Sequence, residues 1–143
     1  MKRLLTIQDI SCVGQCSTTV ALPLVSACGV ECAILPCAVL SNHTGGFPSW
    51  TFADLTPELA NVERKWIELG IKFDAFYTGY VCESQIDPIL SIFSSCANDG
   101  ALRIVDPKAA DKIVAAITAD YKAVYGDEPT CALIEPSEGA HLV

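Results

Sequence analysis

The chain has 143 residues, 51% of them hydrophobic and 18% charged, and a mean hydropathy of +0.38. That is enough for one domain with a buried core, and no apolar run reaches the length of a membrane span. The net charge of −8 and pI near 4.5 argue against nucleic acid as a partner, since no basic cluster is present to follow a phosphate backbone.

The N-terminus "MKRLLTIQDIS" is basic and then apolar, but Gln8 and Asp9 interrupt it too early for a signal-peptide core. It reads as a first buried strand, "RLLTIQDI", in a soluble cytoplasmic protein with no membrane partner. A loop with Ser11 and Gly14 follows. "STTVALPLVSACG" predicts a helix with Pro23 near its first turn and Gly29 at its stop. "VECAILPCAVL" predicts a second strand and "SNHTGGFPSW" a loop.

"LTPELANVERKWIELG" predicts an amphipathic helix. Thr56 is placed to cap it, Pro57 suits its first position, and Gly70 ends it. Leu59, Val62, Trp66 and Leu69 recur on one face. "FDAFYTGY" predicts a third strand. "SQIDPILSIFSSCAND" predicts a helix stopped by Asn98-Asp99-Gly100, and "ALRIVDP" a fourth strand. "KAADKIVAAITADYKAVYG" has the pattern of a further helix, and "TCALIE" that of a fifth strand.

Strands alternating with helices at this spacing predict an α/β fold, with a mostly parallel central sheet and helices on both faces. The continuous apolar character of the strands agrees with a sheet covered on both sides. One domain over 1–143 is expected. Ligands of such sheets bind beyond the carboxyl ends of the strands. The candidate site loops are therefore "QDISCVG", "SNHTGG", "TGYVCES" and the "DP" after the fourth strand.

The eight cysteines are Cys12, Cys16, Cys28, Cys32, Cys37, Cys82, Cys96 and Cys131. No Cys-x2-Cys pair occurs, and neither Cys12/Cys16 nor Cys28/Cys32 has a second pair at zinc-ribbon distance. With most of them inside apolar runs, they read as reduced core residues rather than disulfides or metal ligands.

His43 reads as a loop histidine that positions its neighbours, because neither His141 nor a cysteine stands at a metal-binding spacing from it. Gly45-Gly46 belongs to no nucleotide fingerprint. Ser11 lacks a nucleophile elbow and reads as a hydroxyl donor to a ligand. Asp106, at the end of an apolar strand, faces a cleft or caps the next helix. Tyr80 covers a ligand or is a half-buried surface aromatic.

Taken together, "LTIQDISCVG", "TVALPLVSACGVECAILPCAVLSNHTGGF", "FDAFYTGY" and "IVDP" resemble the N-terminal part of pyridoxal kinases of the ribokinase-like superfamily, over residues 2–107. The resemblance implies ATP- and Mg²⁺-dependent phosphorylation of the 5′-hydroxymethyl group of pyridoxal, pyridoxine or pyridoxamine. Carried over by position, Ser11, Val13, Leu40, His43, Thr44 and Tyr80 would line the vitamin pocket. Ser11 and Thr44 would meet the ring's polar groups, and Leu40 would replace an aromatic that relatives often carry. Asp106 would sit near the phosphates and Mg²⁺.

Residues 108–143 depart from the family as a divergent helix-and-strand tail. The family's second half supplies a Gly-Thr-Gly-Asp anion hole whose aspartate is the catalytic base, and no such run occurs here. The expectation is thus a kinase-like protein impaired or inactive by itself. A non-catalytic B6-binding module or kinase fragment is the alternative, and a thiol-rich metal or redox protein a second one. A sheet cut short exposes an edge and an apolar face, which suggests a homodimer.

Overall fold

A computed structural model describes residues 1–79 and 81–105 and, beyond them, positions 114, 115, 118, 119, 122, 123 and 126. Tyr80, Asp106 and His141 lie outside the described residues. So does the expected fifth strand, and so does most of the expected helix over 108–126.

The described elements are β1 (Arg3–Ser11), α1 (Thr18–Ala27), β2 (Glu31–Leu40), β3 (Phe52–Asp54), α2 (Thr56–Glu68), β4 (Phe73–Thr78), α3 (Glu83–Ser95) and β5 (Ala97–Ile104). They form one five-stranded sheet in the order β3-β2-β1-β4-β5. β2, β1, β4 and β5 are parallel, and β3 runs antiparallel to β2 at the edge. The fold is α/β, as the alternating pattern implied. α1 packs on β1 and β2, while α2 packs on β2 and α3, and α3 reaches β5.

β1 is central and buried on both sides. Leu5 and Ile7 belong to the hydrophobic core, and Thr6 and Gln8 lie on the opposite face, equally inaccessible. The core is a chain of rings: Trp66 meets Phe73 edge-on at 5.1 Å, Phe73 meets Phe76 at 5.8 Å, and Phe76 meets Phe93 at 4.7 Å. Leu59, Ile89 and Ile92 close it from the two helices. Edge-on ring pairs add to the burial of these large apolar surfaces.

Pro36 sits in β2 although proline removes a ladder donor. The ladder shifts there, from Gln8 opposite Pro36 to Ile10 opposite Val39. A bulge beside a proline is where a strand tolerates one. The bulge also sets the pairing that follows, which places Leu40 opposite Ser11.

Several local expectations are corrected. β3 falls where no strand was anticipated; its three residues are all exposed, so no burial pattern marks it. Thr56 does not cap α2. Asp54 Oδ1 accepts from the Thr56 amide at 2.9 Å and from its hydroxyl at 2.6 Å, two residues ahead of the helix proper. Pro23 lies inside α1 rather than in its first turn, on the exposed side. Leu69 is 65% exposed, and Ile71 packs against the core instead.

Asn98-Asp99-Gly100 does not end α3, which stops at Ser95 with Cys96 as its cap. Those residues lie within β5. The ladder slips between Phe73/Ala97 and Ala75/Leu102, and Gly100 takes φ +71°. The turn signal was real, but it belongs to an insertion in the ladder.

Among the seven described cysteines, all free, only Cys37 and Cys96 are buried; Cys12 and Cys28 are exposed. The core-residue reading therefore holds for two of them. Cys12 stands in a loop and Cys28 at the end of α1, where an apolar neighbourhood in sequence is not one in space. Among the described residues no helix is long and apolar enough to cross a membrane.

Candidate functional site

Strand order reverses between β1 and β4: the chain moves from β1 outward to β2, then returns to β4 on the other side. The carboxyl ends of β1, β2 and β4 meet at this switch, where open α/β sheets bind ligands. Ser11, Leu40 and Thr78 are the last residues of those strands.

Ser11 is 1% exposed. Its hydroxyl donates to Asp9 Oδ2 at 3.0 Å and accepts from the Cys16 thiol at 3.4 Å. Ser17 Oγ reaches Cys16 Sγ at 3.7 Å. The expected ligand donor thus has its hydrogen committed to a carboxylate. Asp9, Cys16 and Ser17 were not among the expected site residues: Asp9 stood within the "QDISCVG" loop, and Cys16 was weighed only for its spacing from Cys12.

The β1–α1 loop then lies against the β2–β3 loop. The Cys12 amide extends the ladder to Leu40 O at 2.9 Å, and the His43 amide donates to Val13 O at 2.7 Å. Gly14, at φ +92°, faces His43 so closely that a Cβ would come within 2.8 Å of the histidine's Cβ. On the other side, His43 Nδ1 is 3.2 Å from Gly45 O, and a Cβ on Gly45 would stand 3.0 Å from Cε1. His43 is therefore held between two glycines, each of which leaves room for it.

The remaining polar residues of "SNHTGG" divide their work. Ser41 and Thr51 bond each other twice: the Ser41 amide to Thr51 O at 3.2 Å, and the Thr51 amide to Ser41 Oγ at 2.9 Å. Asn42 accepts from Ser41 Oγ and donates to His43 O and Ser49 O, both at 3.1 Å. These bonds close the loop on itself. Thr44 is exposed, as is Val13, while Leu40 is buried at 6% exposure. Ser11, Val13, Leu40 and His43 are thus brought together by strand register and by the hydrogen bond between the two loops. Thr44 follows His43 on the outside, and Tyr80 and Asp106 fall outside the described residues.

The third exit carries Gly79, whose amide donates to Ile7 O at 3.1 Å. Gln8 crosses beneath it, with Nε2 donating 2.7 Å to Thr6 Oγ1. A cavity of about 270 Å³ opens beside it on the α1 side, lined by Gln8, Ser17, Val20, Ala21, Leu24, Val25 and Tyr77. None of the expected ligand residues lines that cavity.

One ionisation bears on the site. Burial first, and the Asp9 carboxylate next, push the Cys37 thiol up to about 12, which makes it a poor nucleophile and metal ligand. No three His, Cys, Asp or Glu side chains stand together to hold a metal among the described residues. Asp106, the residue expected near the phosphates and Mg²⁺, lies outside the described residues.

No protein-family model and no curated protein sequence matches the chain. Solved structures do. A protein described as a phosphomethylpyrimidine kinase from Bacteroides thetaiotaomicron, solved with pyridoxal, is 31% identical with a TM-score of 0.72; the match covers 82% of this chain and 46% of that one. Pyridoxal kinase from Lactobacillus plantarum is 30% identical with a TM-score of 0.68, over 75% of this chain and 38% of that one. Pyridoxal kinase from Leishmania donovani, in complex with ADP and pyridoxamine, shares the fold with a TM-score of 0.64 at 16% identity, over 82% and 47% of the two chains. The chain spans less than half the length of each of these kinases.

Proposed function

Because the chain is built as the N-terminal part of a ribokinase-like kinase, we propose that it binds the ring of a B6 vitamer at the carboxyl ends of β1, β2 and β4. The observation that carries this reading is the joining of the β1–α1 and β2–β3 loops through Val13 and His43. It draws four of the residues that the pyridoxal-kinase resemblance implicates into one place. A substituted pyridine calls for an apolar wall with a few placed donors and acceptors. Leu40 and Val13 supply the first, and Ser11, His43 and Thr44 the second.

In this reading the chain does not phosphorylate by itself. The 143 residues hold no Gly-Thr-Gly-Asp run, and phosphoryl transfer rests on positioned charge around the phosphates. Binding of the vitamer and binding of the nucleotide are thus separable.

Calorimetric titration tests this directly, with pyridoxal and Mg-ATP added in separate runs. Heat of binding with pyridoxal and none with Mg-ATP is the expected result. A folded chain, verified by circular dichroism, that gives no heat with pyridoxal, pyridoxine or pyridoxamine overturns the proposal. Thr44→Ala is expected to weaken pyridoxal by about tenfold, the loss of one neutral hydrogen bond in a partly desolvated site.

A further inference from the structure

We infer that the apolar face of β4 and β5 beside α1 is a docking surface for this chain's own residues 108–126, which cap the sheet there as an amphipathic helix. The cap is independent of what the strand exits bind.

Strand register defines the face. Tyr77 stands opposite Thr6 on one side and Ile104 on the other, and Ala75 stands opposite Leu4 and Leu102. Residues paired in this way point to the same side of a sheet. α1 lies on that side, since Tyr77 and Gln8 share a cavity with Ala21 and Leu24. The opposite side is filled: Phe76, next to Tyr77, packs on Phe93 of α3 at 4.7 Å.

α1 packs on β1 and β2, and the face beyond it is open. Leu102 is 59% exposed, Ile104 44% and Leu24 of α1 62%. The cavity of about 270 Å³ is a hollow between Leu24 and Tyr77. Ridge and hollow thus lie side by side, with no charged residue among them. Contiguous exposed apolar surface of this kind marks an interaction site.

The occupant follows from where the chain goes next. β5 ends at Ile104, so residues 106–143 start beside this face. Within them, Ala110, Ile113, Ile117, Tyr121 and Val124 recur three or four residues apart, the spacing of one helix stripe. The described positions belong to the other side of that helix. Positions 114, 115, 118, 119, 122 and 123 are helical; Ala115, Ala119, Lys122 and Ala123 are exposed, whereas Val114 and Thr118 at the margin are half-buried. An amphipathic helix is held to a protein by its apolar stripe. A helix over 108–126 would span about 28 Å at the usual rise per residue. That is enough to run back along β5 and β4, whose eight and six residues extend over about 20–27 Å.

Alkylation of single added thiols in the full chain tests this, mapped peptide by peptide against the exposed Cys28. Ile104→Cys and Leu24→Cys each put a thiol on one wall of the face. Both thiols are expected to react about tenfold more slowly than Cys28, because burial removes access. Their rate should not change with protein concentration, and light scattering should show a monomer. Ile117→Asp should bring both close to the rate of Cys28, while Ala119→Asp, on the exposed side, should leave both slow. Tyr121→Asp serves if Ile117→Asp fails to fold.

Thiols at 104 and 24 as reactive as Cys28 overturn the inference, because the face is then open. Protection that survives the stripe substitutions overturns it as well, because something other than the stripe then covers the face. Protection that falls on dilution, with dimers at high concentration, overturns it in favour of a second copy of the chain.

Discussion

Gly79 lies so close to the side chain of Gln8 that a Cβ there would stand 2.8 Å from Oε1 and 3.0 Å from Cγ. Gln8 is 4% exposed and bonded to Thr6 Oγ1, so shifting toward the neighbouring cavity would strain or break that bond. Gly79 is itself fixed by its amide bond to Ile7 O. Gly79→Ala is therefore expected to destabilise the fold by about 1–3 kcal/mol, the usual cost of overpacking. Gln8→Ala removes the obstacle, so adding it to Gly79→Ala should restore part of that loss, with a coupling of about 0.5–3 kcal/mol. Urea denaturation of the four proteins in the cycle measures this. Strict additivity would mean that the two residues do not compete for one space.

Gln85 ties three elements together from a nearly inaccessible position. Its Nε2 donates to Cys37 O at 3.2 Å and to Thr56 Oγ1 at 3.0 Å, and its Oε1 accepts from the Cys82 amide at 3.1 Å. One side chain thus joins the start of α3, the bulged part of β2 and the first turn of α2. Gln85→Leu leaves the Cys82 amide and Cys37 carbonyl without this partner, at an expected cost of about 1–3 kcal/mol. Gln85→Glu keeps the acceptor but places a carboxylate against the Cys37 carbonyl, and should cost at least as much at neutral pH. Denaturant midpoints for both variants check the order; a Gln85→Glu chain as stable as wild type would contradict it.

Much of this architecture is written in local pattern. β1, β2 and β4 are continuous apolar runs, and α2 has a clear helical period, so each carries its own signal. β3 carries none, because its three exposed residues exist as a strand only through pairing with Ala38–Leu40. Asn98-Asp99-Gly100 misled because a turn signal does not say which element it interrupts. The site followed the same division. That Ser11 and Leu40 stand at neighbouring strand exits is implied by parallel topology. That Gly14 meets His43 is not, since it depends on the slip beside Pro36 that sets the end of β2 against β1. Tyr80 and Asp106 lie outside the described residues, so their expected roles stay with the sequence.

The cysteines divide by accessibility rather than by sequence neighbourhood. Cys12 and Cys28 are exposed, whereas Cys37 and Cys96 are buried, and the Cys37 thiol is pushed up to about 12 by burial and the nearby Asp9. Thiolate, not thiol, is the reactive form. Alkylation of the native chain at neutral pH should modify Cys12 and Cys28 first, with Cys37 and Cys96 reacting only after denaturant is added. Peptide mapping by mass spectrometry gives the order. Native labelling of Cys37 at the rate of Cys28 would show that β2 opens to solvent.

Asp74, at the other end of the sheet, gives the fold a dependence on acid. Its Oδ1 accepts from Lys2 Nζ at 2.8 Å and from Asn98 Nδ2 at 3.2 Å, and its Oδ2 accepts from the Arg3 amide at 2.9 Å. It thereby pins β1 and β5 to the start of β4. The Lys2 bond first, and the Arg3 amide next, hold its carboxyl at about 2, below the ordinary 3.8. A depressed carboxylate stabilises the native state wherever it is ionised in both states. That contribution is fully present above 3.8 and is lost as pH falls through about 2. Asp74→Asn lacks it, so the stability gap between wild type and variant should be constant at neutral pH and shrink across that window. Asp54 is also depressed, by its bonds from Thr56, but it is present in both proteins and cancels in the difference. Lys2 is largely exposed, at 79%, so the gap should also narrow in high salt, which screens exposed pairs. Urea titrations of both proteins from neutral pH into acid measure it. A gap that does not change with pH would mean that Asp74 acts through its shape and neutral hydrogen bonds rather than through its charge.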